Sequence, residues 1–351
     1  MNPSAPYLFW WTQTESSLPI NIYKSKVINK CTGGNILKTI SLIVPCYNEE
    51  PTVELFYNTT EKVFDKLNAS HEEQYQPDYL FINDGSADKT LDVMRKLHAE
   101  HPDEVHYISF SRNFGKESAF AAGLSNAHGD YVAVMDVDLQ DPPELLLQMV
   151  DILEDPKQDY DVVGCVQTSR KQNPIRAFLS ASFYKIINKM SKVQMKQNVR
   201  DYRLMTRKYV DAVLELPEYN RFSKGLFSWV GFKTKYLAYE GVPRAAGKTS
   251  WSLFQLFEYS MEAIVDFSDV PLKLATFVGI VTFILSIIGL FFVVIRAMFF
   301  GGSVNGWASM VSIILLLSGV QLFSLGILGT YIGKIYLETK HRPKFVIAEK
   351  R

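Results

Sequence analysis

Two long apolar runs lie close together near the C-terminal end of the chain, at residues 274–295 and 308–332. Neither run contains Asp, Glu, Lys or Arg, and each exceeds the roughly 20 apolar residues that a helix needs to cross a bilayer. A short glycine-containing link at 301–306 separates them. The pattern predicts a two-helix transmembrane hairpin over 271–335 and a cytoplasmic tail over 336–351. Two helices of a buried core are the alternative.

The earlier part of the chain alternates short apolar runs with helix-like stretches, as a water-soluble α/β domain does. Strands are predicted at 39–45, 79–82, 105–110 and 130–135, and helices at 52–67, 89–98, 117–127 and 142–153. Alternating strands and helices indicate a mostly parallel sheet that is covered on both faces. We therefore predict an α/β domain over 39–250, preceded by a poorly ordered extension over 1–38.

Two further segments, 175–193 and 251–267, place apolar side chains at helical spacing, and the first of them carries basic residues on its polar side. An amphipathic helix of this kind suits the surface of an anionic cytoplasmic leaflet. An ordinary helix packed on the domain core has the same pattern. The proximity of the second segment to the apolar runs favours a juxtamembrane helix over 251–270.

Basic residues predict the orientation of the hairpin. Lys273 precedes the first run, and Lys334, Lys340, Arg342 and Lys344 lie at or beyond the end of the second, whereas the link carries no charge. Both ends of the hairpin are therefore expected on the cytoplasmic side. The formal net charge of +0 gives no overall basic field for nucleic acid, and 3 scattered cysteines fit a reduced compartment.

Polar side chains collect where the predicted strands end, which is the edge at which parallel sheets bind ligands. The strongest signal follows the fourth strand, where alternate residues of an extended segment would point Asp136, Asp138 and Gln140 the same way. Such oxygen ligands suit Mg²⁺ or Mn²⁺. An acidic loop at the start of the next helix is the alternative. Gly247-Lys248-Thr249 lacks the earlier glycine of a Walker phosphate loop, so a nucleoside triphosphatase is not indicated.

Six motifs together resemble a known family. They are Val44-Pro45-Cys46-Tyr47-Asn48-Glu49-Glu50, Asn83-Asp84-Gly85-Ser86, Ser111-Arg112-Asn113-Phe114-Gly115-Lys116, the segment 136–144, Arg200-Asp201-Tyr202-Arg203-Leu204-Met205 and Ser228-Trp229-Val230-Gly231-Phe232. They resemble the inverting family-2 glycosyltransferases, which have a GT-A fold. Within these, the chain is similar to the polyprenyl-phosphate glycosyltransferases, which are related to dolichol-phosphate mannose synthase, and most of all to the bactoprenol glucosyltransferase branch. The resemblance covers residues 39 to about 345 and implies a Rossmann-like catalytic domain.

The resemblance also implies roles for individual residues. Nucleotide-sugar contacts are expected from Pro45, Tyr47, Glu49, Asp84, Lys116 and Asp136. A divalent cation, Mg²⁺ or Mn²⁺, is expected on Asp136, Asp138 and Gln140. The catalytic group is expected at Asp201 with Arg200 and Arg203. Phosphate or acceptor contacts are expected from Arg221, Lys224, Arg244 and Lys248.

The resemblance implies transfer of a hexose from a UDP-sugar to undecaprenyl phosphate, with inversion at C1. The bactoprenol glucosyltransferase branch implies that the hexose is glucose. The product would be a lipid-linked sugar for cell-envelope glycans, made at the cytoplasmic face of the inner membrane by a multi-pass protein. A phosphate monoester is mostly dianionic at neutral pH, because its second pKa is near ~6. Asp201 is therefore expected to orient the acceptor-binding arginines or the sugar more than to remove a proton.

The resemblance also implies a homo-oligomer, and two spans are too few to move the product across the membrane, so a separate flippase is expected. Three alternatives remain open. A processive polysaccharide synthase shares the catalytic domain, but the chain has no Gln-x-x-Arg-Trp motif. The same lipid transfer could use N-acetylglucosamine or galactose. A membrane scaffold that only binds nucleotide would lack one of the metal-binding aspartates.

Overall fold

The computed structural model describes residues 37–168, 182, 184–185, 187–189, 196–240, 264–266, 268–300 and 306–351. The extension over 1–38 lies almost entirely outside these residues. Most of the two amphipathic segments, 175–193 and 251–267, also lies outside them, as do Arg244 and Lys248. The predictions for these parts of the chain therefore stay predictions.

One eight-stranded sheet organises the described part of the chain, in the order β7-β5-β6-β4-β1-β2-β3-β8. The strands are β1 Leu37–Cys46, β2 Gln74–Asn83, β3 Val105–Phe110, β4 Tyr131–Val134, β5 Val162–Gln167, β6 Val199–Thr206, β7 Thr234–Tyr239 and β8 Ile347–Lys350. β1 pairs in parallel with β2 and β4, and β2 pairs in parallel with β3. β6 runs antiparallel to both β4 and β5. The predicted mostly parallel sheet is confirmed.

Helices cover both faces of this sheet. They are α1 Val53–Ser70, α2 Thr90–Glu100, α3 Lys116–Asn126, α4 Leu145–Glu154, α5 Arg207–Leu214 and α6 Ser223–Trp229, and two long helices follow them, α7 Val270–Phe300 and α8 Trp307–Thr339. Alternation along β1 separates two cores, because successive side chains of a strand point to opposite faces. Leu42 packs in the core of α1, α2 and α4, whereas Ile43 packs in the core of α3, α5 and α6.

Several boundaries differ from the sequence expectation, and β2, for example, begins at Gln74 and not at position 79. β1 continues through Pro45 to Cys46, because Pro45 still pairs with Ile82 of β2. α4 begins at Leu145 and not at position 142, since a proline pair precedes it and residues 143–144 form a turn. The segment after β4 therefore reaches the helix through a loop, and that loop carries the predicted metal motif.

The two apolar runs form the long helices α7, of 31 residues, and α8, of 33 residues. At 1.5 Å per residue, each is roughly 45–50 Å long, which exceeds the hydrocarbon thickness of a bilayer. Their most apolar windows have mean hydropathies of 2.1 and 1.5, and 0% of either window is buried. The buried-core alternative is therefore excluded for these windows, and both helices are long and apolar enough to cross a membrane.

The last residues of the chain return to the sheet, which the sequence did not predict. β8 pairs antiparallel with β3 at the sheet edge, and the ring of Phe345 stacks on Phe110 with centroids 5.0 Å apart. Glu349 accepts hydrogen bonds from Arg95 and from the hydroxyl of Tyr107. The tail that follows α8 is thus attached directly to the α/β domain.

Candidate active site

Asp84, directly after β2, connects three strand ends. Its carboxylate accepts hydrogen bonds from the N–H groups of Phe114 (2.7 Å) and Gly115 (3.0 Å), and its own N–H donates to the carbonyl of Cys46 (2.9 Å). Burial raises the pKa of Asp84, and the two backbone donors oppose that effect. The next residue, Gly85, has φ +65°, and a Cβ there would lie 2.3 Å from the carbonyl carbon of Arg112. A glycine is therefore required where the two loops meet.

Three more of the predicted nucleotide-contacting residues lie at the end of β1 or on the loop that follows it. Tyr47 is 50% exposed, so its ring is presented to solvent at the sheet edge. Glu49 accepts a hydrogen bond from the Thr52 hydroxyl (2.8 Å), and its N–H donates to the Thr90 hydroxyl (2.9 Å). Pro45 lies within β1 itself. The structure thus brings these residues to the same edge as Asp84.

The centre of the site is a lysine held between two carboxylates. Nζ of Lys116, the first residue of α3, lies 2.7 Å from Asp136 Oδ1 and 2.7 Å from Asp201 Oδ2. Burial alone would lower the pKa of Lys116, but the two carboxylates outweigh it and raise that pKa. Burial alone would raise the pKa of Asp201, but Lys116 and Lys224 hold it far below its ordinary value. Asp201 is therefore ionised across the neutral range.

A buried acid that sequence reasoning did not single out holds Arg200. Asp141 is 5% exposed, accepts a hydrogen bond from Arg200 Nε (2.9 Å) and also accepts one from the Tyr239 hydroxyl. Arg200 Nη2 lies 4.0 Å from Asp136 Oδ2, so the guanidinium lies between the two acids. Asp141 belongs to the quoted motif, but its partners come from β6 and β7, and no local pattern links them.

The metal motif has a different shape from the predicted one. The chain turns at residues 137–138, and Leu139 has a left-handed φ of 55°, so the segment is not extended. The N–H of Gln140 donates to Asp138 Oδ1 (3.2 Å), which folds the motif back on itself. The prediction that three alternate side chains share one strand face is therefore wrong, because the strand ends at Val134 before the motif begins.

Within the described residues, no group of three or more His, Cys, Asp or Glu side chains could hold a metal ion. The chemistry of the donors nevertheless suits a hard divalent cation, which takes one or two carboxylates together with neutral and phosphate oxygens. Asp136, Asp138 and the amide of Gln140 are such donors. Asp136 already contacts the ammonium of Lys116, so a cation there would compete with that ammonium for the same carboxylate.

Three of the predicted basic site residues divide between two cavities. Arg203, which is 5% exposed, and Lys224 line one cavity, and Lys224 Nζ lies 3.9 Å from Asp201 Oδ1. The guanidinium carbon of Arg203 lies 3.9 Å from the centre of the Phe227 ring. Arg221, three residues before Lys224, lines a separate cavity. The structure therefore brings Arg203 and Lys224 to the catalytic cluster but not Arg221.

Comparison with known proteins agrees with this geometry. The family model described as glycosyl transferase family 2 matches residues 41–214. The glycosyltransferase CsbB of Bacillus subtilis (strain 168) is 43% identical over 310 residues, which cover 88% of this chain and 91% of that protein. The bactoprenol glucosyl transferase of Shigella phage SfV is 39% identical over 313 residues, which cover 89% of this chain and 99% of that protein.

Among solved structures, the glucosyl-3-phosphoglycerate synthase of Mycobacterium tuberculosis, in complex with Mn²⁺, UDP-glucose and phosphoglyceric acid, aligns with a TM-score of 0.40 at 18% identity. That alignment covers 65% of this chain and 78% of that one. The family model and the sequence relatives define a glycosyltransferase. The chain belongs to glycosyl transferase family 2, which confirms the family expected from the motifs.

Proposed function

We propose that this glycosyltransferase moves glucose from UDP-glucose to a polyprenyl phosphate at the cytoplasmic face of the inner membrane, with inversion at C1. The name of the Shigella phage relative supports the glucosyl group and the acceptor, because the similarity covers 89% of this chain and 99% of that protein. The observation that carries the proposal is the cluster of Lys116, Asp136 and Asp201, with Arg203 and Lys224 beside it.

In the proposed reaction, an oxygen of the acceptor phosphate attacks C1 of the sugar. The bond from C1 to the β-phosphate oxygen breaks, and its electron pair leaves with UDP. Negative charge therefore builds on the leaving diphosphate while the acceptor loses charge. Fixed cations near both groups lower the barrier, because they are oriented before the charge develops. Lys116 and Arg200 are suited to the donor side, and Arg203 and Lys224 to the acceptor side.

Asp201 is poorly suited to act as a general base. An effective base has a pKa near the working pH, whereas two lysines keep the pKa of Asp201 far below its ordinary value. The acceptor is itself mostly dianionic and has little need of deprotonation. We therefore assign to Asp201 the positioning of Lys116 and Lys224 between donor and acceptor.

A divalent cation, Mg²⁺ or Mn²⁺, would bind Asp136, Asp138 and Gln140 and neutralise the diphosphate of the donor. Asp141 contributes indirectly, since it fixes the guanidinium of Arg200 next to Asp136. The residues of this chain therefore supply both the ligands of the cation and the surrounding positive charge.

The acceptor also explains the two apolar helices. Moving a polyprenyl chain out of the bilayer costs about 0.8 kcal/mol for each methylene, so the catalytic site must lie at the membrane surface. α7 and α8 would span the membrane, and the basic residues at both ends of the hairpin favour a cytoplasmic catalytic domain. Two helices do not enclose a path for the product, so a separate flippase would complete the process. A homo-oligomer remains part of the proposal.

The test is transfer of radiolabel from UDP-glucose to butanol-extractable lipid, with undecaprenyl phosphate as acceptor. Purified full-length protein should form labelled lipid, and EDTA should abolish it until Mg²⁺ or Mn²⁺ is restored. Asp138→Ala should reduce the signal at least 100-fold, whereas Asp211→Asn, an exposed acid paired with Arg207, should not. Preference for UDP-N-acetylglucosamine or UDP-galactose would reassign the sugar, and wild-type activity of Asp138→Ala would overturn the proposed site.

A further inference from the structure

A second cavity of about 420 Å³ lies between the catalytic domain, the end of α8 and the segment that follows it. We call it the seam pocket. Its lining includes four basic side chains, Arg112, Arg221, Lys334 and Lys344, and two acidic ones, Glu117 and Asp266. None of these six residues belongs to the lysine and carboxylate cluster described above. The proposed reaction therefore gives the seam pocket no role.

Backbone contacts hold the walls of the seam pocket together. Glu338, in the last turn of α8, accepts hydrogen bonds from the N–H groups of Tyr219 (2.8 Å) and Asn220 (3.3 Å). The hydroxyl of Ser118 on α3 donates to the carbonyl of Lys344 (3.2 Å). The pocket is thus built from parts of the chain more than 100 residues apart, and its basic residues come from both sides of the seam.

The two carboxylates of the pocket are engaged by other partners. Asp266 accepts a hydrogen bond from Lys334. Glu117 accepts hydrogen bonds from the N–H and the hydroxyl of Ser223, at the start of α6. These contacts use the acidic groups to join structural elements. Glu117 also attracts the charge of Arg221.

Arg221 and Lys344 are both partly desolvated in the seam pocket. Nη1 of Arg221 donates to the carbonyl of Leu216 (3.1 Å), but its buried Nε has no hydrogen-bond partner among the residues that the structure describes. Burial lowers the pKa of Arg221 and of Lys344, and the charge of Arg221 lowers that of Lys344 further. Glu117 and Glu218 oppose the shift of Arg221, and Glu218 and Glu338 oppose that of Lys344, but neither shift is cancelled. Arg221 and Lys344 therefore repel each other, and the buried Nε of Arg221 can still donate a hydrogen bond to an added oxygen acceptor.

We propose that the seam pocket binds the phosphate group of an anionic membrane lipid, separately from the lipid acceptor. Guanidinium groups grip phosphate oxygens in pairs, and basic pockets beside transmembrane helices on the cytoplasmic side are suited to lipid head groups. Lys334 lies in the last two turns of α8, which would place the pocket at membrane-surface level. The inference rests on the proposed membrane position of α7 and α8, but not on glucosyl transfer.

The test is lipid binding by purified full-length protein in detergent, measured by native mass spectrometry with phosphatidylglycerol and with phosphatidylcholine. Wild type should bind phosphatidylglycerol preferentially. The double variant Arg221→Gln/Lys344→Gln should bind it about 10- to 30-fold more weakly, since each basic residue near the surface contributes about fivefold. The matched control Lys96→Gln/Lys350→Gln removes the same charge from exposed positions and should stay within about twofold of wild type.

Two further measurements keep the result interpretable. If the double variant unfolds, the single variant Lys344→Gln replaces it, because it changes only one half-buried side chain. This variant should lose part of the phosphatidylglycerol binding. Lys224→Gln should lose transfer to undecaprenyl phosphate but keep phosphatidylglycerol binding, which separates this site from the acceptor site. Wild-type binding by the double variant, or equal binding of phosphatidylcholine, would overturn the proposal. Thermal stabilisation by inorganic phosphate without any preference between the two lipids would overturn the lipid assignment.

Discussion

Replacing Asp201 with Asn tests the role of the central carboxylate most directly, because the shape is kept and one charge is removed. In the native cluster, Asp201 Oδ2 lies 2.7 Å from Lys116 Nζ, and Oδ1 lies 3.9 Å from Lys224 Nζ. At an effective dielectric of about 20, the shorter contact corresponds to roughly 6 kcal/mol of Coulomb attraction before desolvation is subtracted. A hydrogen bond between charged groups has a net value of about 1.5–3 kcal/mol.

If Asp201 positions the lysines, Asp201→Asn should lower kcat by about 10- to 150-fold, as the net value of one such bond implies. Turnover should remain measurable, and the acidic limb of the pH–rate profile should keep its position, because no catalytic proton has been removed. The assay is initial-rate transfer of label into lipid from pH 5 to pH 9, with Asp211→Asn as the matched control. Loss of the acidic limb in Asp201→Asn, with rates rising as hydroxide does, would show that Asp201 is a base and would refute the positioning role.

Three other expectations follow from named contacts. Lys116→Met should lower turnover about 100-fold yet raise Mn²⁺ affinity in titration calorimetry, because the ammonium that competes for Asp136 is gone; unchanged affinity would contradict the shared carboxylate. Asp141→Asn should lower both turnover, by about tenfold, and Tm, because Arg200 loses a buried charged partner; normal values of both would show that Asp141 does not position Arg200. Arg95 and Tyr107 lower the pKa of Glu349 to about 2, below its unfolded value of about 4.3. The ionised Glu349 therefore stabilises the folded protein fully above about pH 5, and this stabilisation is lost as the pH falls toward 2. The unfolding free energies of wild type and Glu349→Gln should therefore differ by about 1 kcal/mol or less at pH 7 and converge near pH 2, and a difference that persists there would exclude this ion pair as its cause.

The sequence predicted those features that local pattern determines. The parallel strands and the two apolar helices follow from runs of buried or uncharged residues, so their existence and approximate bounds were accessible. The shape of the metal motif was not, because Leu139 adopts a left-handed conformation that no side-chain alternation indicates. Asp141 was missed for a related reason, since its partners lie 59 and 98 residues away. The return of β8 to the sheet was also hidden, because four exposed or half-buried residues carry little periodic signal.

These long-range contacts have a common consequence for the site. α8 is joined to the catalytic domain at its last turn through Glu338 and again beyond its end through β8, so two attachments fix the domain relative to the apolar helices. Glu338 holds the backbone at residues 219–220, directly before α6, and α6 carries Lys224 into the cluster with Asp201. Under the proposed function, contacts with the helix that would enter the membrane would therefore set the level of Lys224 above it. A lipid phosphate in the seam pocket would bind across this same junction. We therefore expect loss of that lipid to change lipid retention and thermal stability more than the rate of sugar transfer.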